Sequence, residues 1–279
     1  MLSLRQMTPG DIAEGMRLCA QAGWNQTEAD WRRFLDLEPD GCFVGEVDGN
    51  VVATTTTRVF GPIAWIGMVL VDQAMRRRGI GTAMMEHALA HLTARGVATM
   101  RLDATPLGEP IYRRLGFVAE YELARWEGVS PGAGCDGRVR AVTAGQIERL
   151  ADLDRRATGT DRQGLLRHLW EHGPQSMLAL EGATRLAGYA AFRNGARAFQ
   201  IGPIVARSDE AGRALADAAL GHLAGQRVFV DIAQDHVGAT RWAQERGLQV
   251  QRKLVRMFRG RPVQETHPWL WASSGPENG

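Results

Sequence analysis

The sequence predicts an α/β (α+β) protein built as two tandem units, each a mixed twisted β-sheet flanked by helices. Three observations carry this. Met68-Val69-Leu70-Val71 is an apolar run that reads as a buried strand; a short basic turn then leads into Thr82 to Arg95, where Met84, Ala88 and Leu92 recur at helical spacing. Glu127 to Gly137, rich in glycine and aperiodic, interrupts the pattern near mid-chain. Beyond it the pattern restarts: Arg5, Thr8, Gly10 and Ile12 recur as Arg140, Thr143, Gly145 and Ile147, each 135 residues on, and Ile66-Gly67 recurs as Ile201-Gly202 at that interval. One offset shared by two separate strands indicates duplication.

Leu2 to Met7 reads as the first strand. Thr8-Pro9-Gly10-Asp11 starts a helix with Ile12, Met16 and Leu18 on its apolar side; Ala22 to Thr27 breaks it, and Glu28 to Leu37 forms a second. Cys42 to Val47 and Val51 to Arg58 flank Asp48-Gly49-Asn50, a hairpin signal. Ala64 to Val71 feeds the basic turn, Gly96 ends the following helix, and Met100 to Ala104 is the next strand. The expected units are 1–126, a linker 127–137, a second copy 138–260, and a tail 261–279 carrying Trp269 and Trp271. Asp103 pairs with Asp231 and Gly116 with Gly247 at slightly shorter intervals, as a trimmed loop would produce. The copies differ chemically. Opposite Arg76 to Gly81 stands Ala211 to Ala216, without glycine at either matching position, and opposite Tyr112 stands Ala243.

At 279 residues, with 44% hydrophobic and 23% charged, the chain is globular and long enough for two cores. Its 33 basic and 31 acidic residues leave a net charge of +2, too little for bulk attraction to nucleic acid or an anionic membrane. Lys253 is the sole lysine, a bias expected of a GC-rich bacterial genome. Cys19, Cys42 and Cys135 are widely spaced, which suits the reducing cytoplasm and neither a disulfide framework nor a zinc site. No apolar run reaches membrane-spanning length, and the first residues do not read as a signal peptide.

A strand, an arginine/glycine turn and a helix start together suit a pyrophosphate: first-turn N–H groups and the helix dipole favour an anion, and glycines admit close approach. The spacing Arg76-x-x-Gly79-x-Gly81, followed downstream by Tyr112-Arg113-Arg114-Leu115-Gly116-Phe117, resembles the paired motifs of the GNAT superfamily of acetyl-CoA-dependent N-acyltransferases. The two-copy plan resembles a bacterial tandem subgroup whose C-terminal domain is degenerate.

The resemblance implies acetyl-CoA as donor and CoA as product. Its pantetheine arm would lie along Met68, Val69 and Val71, and its pyrophosphate against Arg76, Arg77, Arg78, Gly79, Ile80, Gly81 and Thr82. Tyr112 is the expected general acid for the leaving thiolate; a phenol of pKa about 10 is a poor base at neutral pH. Trp24 and Asn25, with Trp31, fall where the acceptor pocket is shaped, and an aromatic wall there suits an amine. The implied reaction is direct attack of a primary amine, on a small molecule or a protein, with no covalent enzyme intermediate. The alternative is a non-catalytic acyl-CoA-binding regulatory module. No base stands in Ala64 to Val71; Glu46 and Glu109 are nearby carboxylates that read as solvated. Thr105-Pro106-Leu107-Gly108 departs from the family's asparagine-containing segment. Either a monomer or a homodimer is compatible with the pattern.

His168-Leu169-Trp170-Glu171-His172 matches a His-x-x-Glu-His metallohydrolase spacing, but it falls in the degenerate copy without an evident third ligand. His87 and His91 are four apart with no Glu between them. No metal is expected.

Overall fold

The computed structural model describes residues 1–279 apart from Ala133 and Cys135, so that the linker's cysteine lies outside the described residues. The first copy comprises β1 (Leu2–Gln6), α1 (Ile12–Ala22), α2 (Glu28–Leu37), β2 (Cys42–Val47), β3 (Asn50–Phe60), β4 (Ile63–Val71), α3 (Ile80–Ala94), β5 (Thr99–Ala104), α4 (Glu109–Arg114) and β6 (Val118–Val129). The second repeats the order: β7 (Val139–Ala141), α5 (Ile147–Thr158), α6 (Gln163–His172), β8 (Met177–Glu181), β9 (Leu186–Arg193), β10 (Phe199–Ala206), α7 (Asp209–His222), β11 (Arg227–Ala233), α8 (Val237–Glu245) and β12 (Gln249–Gly260). A short β13 (Leu270–Ala272) follows. The expected α/β class and tandem plan hold.

The duplication is legible in local chemistry. Thr8 with Asp11 and Thr143 with Gln146 form equivalent capping boxes at the entry to α1 and α5, each satisfying backbone donors that the helix start leaves unpaired. Gly23 and Gly159, at φ 65 and 66, end those two helices in the left-handed region.

The two copies do not close separate sheets. The strand order is β1-β2-β3-β4-β5-β12-β6-β11-β10-β9-β8-β7, one continuous sheet with β13 added on β10. β12, from the second copy, pairs with β5 of the first over Val255–Gly260, while β6, from the first, pairs with β11 over Arg227–Ala233. The exchanged strands then pair with each other. Two buried ion pairs mark this pseudo-symmetry: Arg256 of β12 grips Asp103 of β5 at 2.8 and 2.9 Å, and Arg125 of β6 grips Asp231 of β11 at 2.8 and 2.7 Å. β6 therefore runs to Val129, past the expected boundary at 126, because its far end is needed to pair with β11.

Along β4 and β5 alternate residues face opposite sides. Ala64, Ile66, Met100, Leu102 and Ala104 pack under Met85, Ala88 and Leu92 of α3 and Tyr112 of α4. Trp65, Gly67, Arg101 and Asp103 face the other way. There the tail, 261–279, folds back: Trp65 Nε1 donates to Pro276 O at 2.8 Å, Arg101 pairs with Glu265 at 2.6 Å, and a Cβ on Gly67 would lie 3.1 Å from Glu277. A run with two tryptophans and few charges has apolar surface to bury, and the gap between the copies accommodates it. Among the described residues no helix is long and apolar enough to cross a membrane.

Candidate active site

β4 and β5 are parallel neighbours only over Ile63–Trp65 and Thr99–Arg101; beyond that they diverge. A bulge in β4 accompanies the divergence. Against β3, Leu70 pairs with Thr54 and Gly67 with Thr56, so Met68 and Val69 share one opposing position. Met68 absorbs the extra residue at φ 51, an uncommon conformation for a side chain of its size, and Thr54 Oγ1 donates to its carbonyl at 2.8 Å. A bulge bends its own strand, and here the wedge beside β4 opens into a cleft of about 1130 Å³. Met68, Val69 and Val71 all line it.

The basic turn forms the cleft's outer end. Arg76 folds back, its Nε donating to Val71 O at 3.2 Å, and Arg77 adopts φ 61. Gly79, at φ 79, caps α3 without a side chain, and the N–H groups of Ile80, Gly81 and Thr82 find no protein acceptor among the described residues. Three unpaired donors at the positive end of a helix form an anion site. Gly79 is required by its backbone angle. At Gly81 a Cβ would touch only Val71, at 3.6 Å, so its absence leaves room on the cleft side. Arg76, Arg77, Gly79, Ile80, Gly81 and Thr82 line the cleft; Arg78 is exposed and lies outside it.

Tyr112 is buried on α4, and among the described residues no hydrogen bond engages its hydroxyl, which opens on the cleft. Burial pushes its ionisation above the ordinary phenol range, so it stays protonated: a donor, not a base. The ring lies over Gly108, where a Cβ would come within 2.8 Å of it. The unusual Thr105-Pro106-Leu107-Gly108 segment thus makes the space in which the phenol sits.

On the opposite wall the expectations divide. Trp24 lines the cleft. Asn25 does not: its amide donates to Ala198 O at 2.9 Å and accepts from the Arg197 and Ala198 backbones at 2.9 and 3.0 Å, clipping the first copy to the second. Trp31 is fully buried over Gly15, in the helix core. Glu46 is held by Arg5 and Glu109 by Arg113, both away from the cleft. Gln26, Arg252 and Glu277, which sequence did not single out, line the cleft together with Asp103. Only Asp103 carried a signal, its match to Asp231 across the repeat.

The second copy has the same architecture, filled. β10 and β11 pair over Phe199–Ile201 and Val228–Val230 and then part, and β10 shifts register against β9 between Ile201 and Ile204. Into that wedge the chain inserts β13, which pairs with Ile204 and Val205, and Ser273 N donates to Asp231 O at 2.9 Å. Trp271 lies buried on Gly212 of α7, where a Cβ would stand 2.1 Å from the indole. The start of α7 is capped by Ser208, whose hydroxyl accepts from Ala211 N. Where the first copy offers open donors and an open wedge, the second has a capped helix and a strand.

His168 and His172 stack at 3.9 Å, with His172 Nδ1 against the His168 carbonyl, and His87 and His91 pack edgewise on Phe43. Among the described residues no group of three His, Cys, Asp or Glu side chains could hold a metal ion.

Comparison with known proteins gives two family matches in tandem. The acetyltransferase (GNAT) family profile matches residues 12–117, and an acetyltransferase (GNAT) domain profile matches residues 150–272. Holothin acyltransferase of Pseudoalteromonas sp. (strain SANK 73390) is 25% identical over 248 residues, covering 88% of this chain and 83% of that protein. An uncharacterized N-acetyltransferase of Bacillus subtilis (strain 168), YitH, is 27% identical over 229 residues, covering 79% and 78%. A solved structure from Pyrococcus horikoshii superposes with a TM-score of 0.87 at 23% identity over 100% of this chain and 96% of that one, a likeness of fold.

Proposed function

Because the chain belongs to the GNAT family of N-acyltransferases and carries two such domains, we propose that the first transfers an acetyl group from acetyl-CoA to a primary amine by direct attack on the thioester. The observation that carries this reading is the convergence on one cleft of a bulged, splayed strand edge, an uncapped helix start and a protonated, unpaired phenol. Bound acetyl-CoA supplies an activated acyl carbon and a thiolate leaving group.

The protein's part follows from its groups. Backbone N–H groups of Ile80, Gly81 and Thr82, with Arg77 beside them, hold the pyrophosphate. The bulged backbone at Met68 and Val69 runs beside the pantetheine and carries a donor for the thioester oxygen. The amine nitrogen bonds to the acyl carbon as the carbon–sulfur bond breaks, and Tyr112 gives its proton to the departing sulfur. Glu277 is already held by Arg193 and Gln26, so the proton that the nitrogen sheds as the amide forms passes to cleft water, and water returns a proton to the Tyr112 phenolate.

Residues 1–126 together with β12 form the catalytic unit. The second domain, 138–260, joined through 127–137, supplies the acceptor-side wall, which 261–279 completes. The acceptor is an amine on a small molecule or a protein; Cys19 and Cys42, buried and free of any disulfide, suit a reducing cytoplasm, and the chain acts as a monomer or homodimer.

The test is release of CoA thiol from acetyl-CoA across a panel of amines, for wild type and Tyr112→Phe. Turnover that falls in kcat with the phenol's removal supports the reading. Binding of acetyl-CoA with no thiol release for any amine would leave the non-catalytic regulatory module.

A further inference from the structure

Two residues that line the cleft each hold a buried polar atom with no partner among the described residues, and the polarities are opposite. Gln26 donates its amide to Glu277 Oε2 at 2.9 Å, but its own Oε1 is buried without a partner. Across the same cleft Arg252, half-buried on β12, has a buried Nε without a partner and makes no ion pair among the described residues. A bulge places it there: β12 slips register against β6 between Val250 and Arg252.

The charges around Arg252 do not satisfy it. Arg125 and Arg197 repel it; Asp231 and Glu277 attract it, but both carboxylates are taken. Asp231 is gripped by Arg125, and Glu277 receives Arg193, Gln26 and Asn278. Burial and the neighbouring arginines lower its pKa to about 10, so it still carries its charge at neutral pH. A partly buried cation with no counter-ion is costly unless a ligand supplies one. An unpaired acceptor and an unpaired cation in one cleft match a molecule with an amine donor at one end and an anion at the other.

Resting on the acyltransfer reading above, we propose that the acceptor is an amino-carboxylate, its amine nitrogen received at Gln26 Oε1 and its carboxylate paired with Arg252. Arg252 is then a specificity residue supplied to the first domain's site by the second domain's strand.

The experiment compares matched acceptors with acetyl-CoA: L-leucine against isoamylamine, L-phenylalanine against phenethylamine, L-tryptophan against tryptamine. The expected result is a preference for the amino acid of about tenfold or more in kcat/KM, the scale of one charge-assisted bond. Arg252→Gln should erase it through the KM of the amino acid, and Arg252→Lys should restore part of it. A purely structural Arg252 would instead lower the melting temperature and affect both acceptors alike. Acetyl-CoA binding with no use of any amino acid, or equal use of both members of each pair, overturns the assignment and leaves the acyltransfer reading standing. A chain that neither binds acetyl-CoA nor releases thiol overturns both. Arg252-dependent use of succinyl-CoA with plain amines would put the carboxylate on the acyl group and overturn the acceptor assignment.

Discussion

At the scale of single residues, the proposed chemistry rests on a protonated Tyr112 whose hydroxyl opens on the cleft. Replacing it by phenylalanine removes only the hydroxyl; kcat should fall by about 100-fold, the lower end for general acid catalysis, with the dissociation constant for acetyl-CoA unchanged. Gly108 makes a sharper test of geometry. An alanine there meets the Tyr112 ring at 2.8 Å, so Gly108→Ala should lower kcat without touching the pyrophosphate end. Tyr112 and the arginine/glycine turn were legible in the sequence because each is a local pattern. Gln26, Arg252 and Glu277 were not: they reach one cleft from a loop, an exchanged strand and the last residues of the chain, and no spacing joins them. Asn25 misled for the opposite reason. It sits beside a cleft residue, but adjacent side chains point apart, and Asn25 points into the second domain.

At the scale of elements, boundaries were readable where side chains cap or break the chain locally, as for α2 and β2, whose ends match the expected residues. Sheet order was not readable, because which strand pairs with which is fixed by contacts between distant residues. Helix α2 carries a testable consequence. Asp30 bonds to the Thr27 backbone at 2.7 Å and contacts Arg33 on its own helix and Arg193 of the other domain. Burial alone would raise its pKa from 3.8, but the two arginines and the Thr27 N–H outweigh burial and hold it at about 2. A depressed carboxyl stabilises the fold fully above its unfolded pKa, and that contribution fades as pH falls from about 4 towards 2. It amounts to about 2 kcal/mol by linkage. Asp30→Asn should therefore lower the melting temperature at pH 7 and make it less sensitive to pH between 4 and 2; an unchanged acid slope would show that Asp30 is not the group responsible.

At the scale of the whole molecule, the two domains are one body divided by function. Exchange of β6 and β12 means that neither copy's half of the single sheet is complete without the other, and the same exchange delivers Arg252 to the first domain's cleft. The repeat was plain in the sequence, and so was the loss of the second glycine turn. What sequence did not reveal is that β13 and Trp271 occupy the second cleft, since a short apolar strand near the end of a chain carries no pattern that says where it docks. Trp271→Ala should cost about 3 kcal/mol or more, the usual range for emptying a buried aromatic site, seen as a lowered melting temperature. The central claim is one open cofactor cleft and one filled by the chain itself. Isothermal titration with acetyl-CoA tests it most directly, on the wild type and on a folded variant carrying Gly79→Val and Gly81→Val. The account predicts one site per chain in the wild type and none in the variant. Two sites per chain, or binding that survives both substitutions, would contradict it.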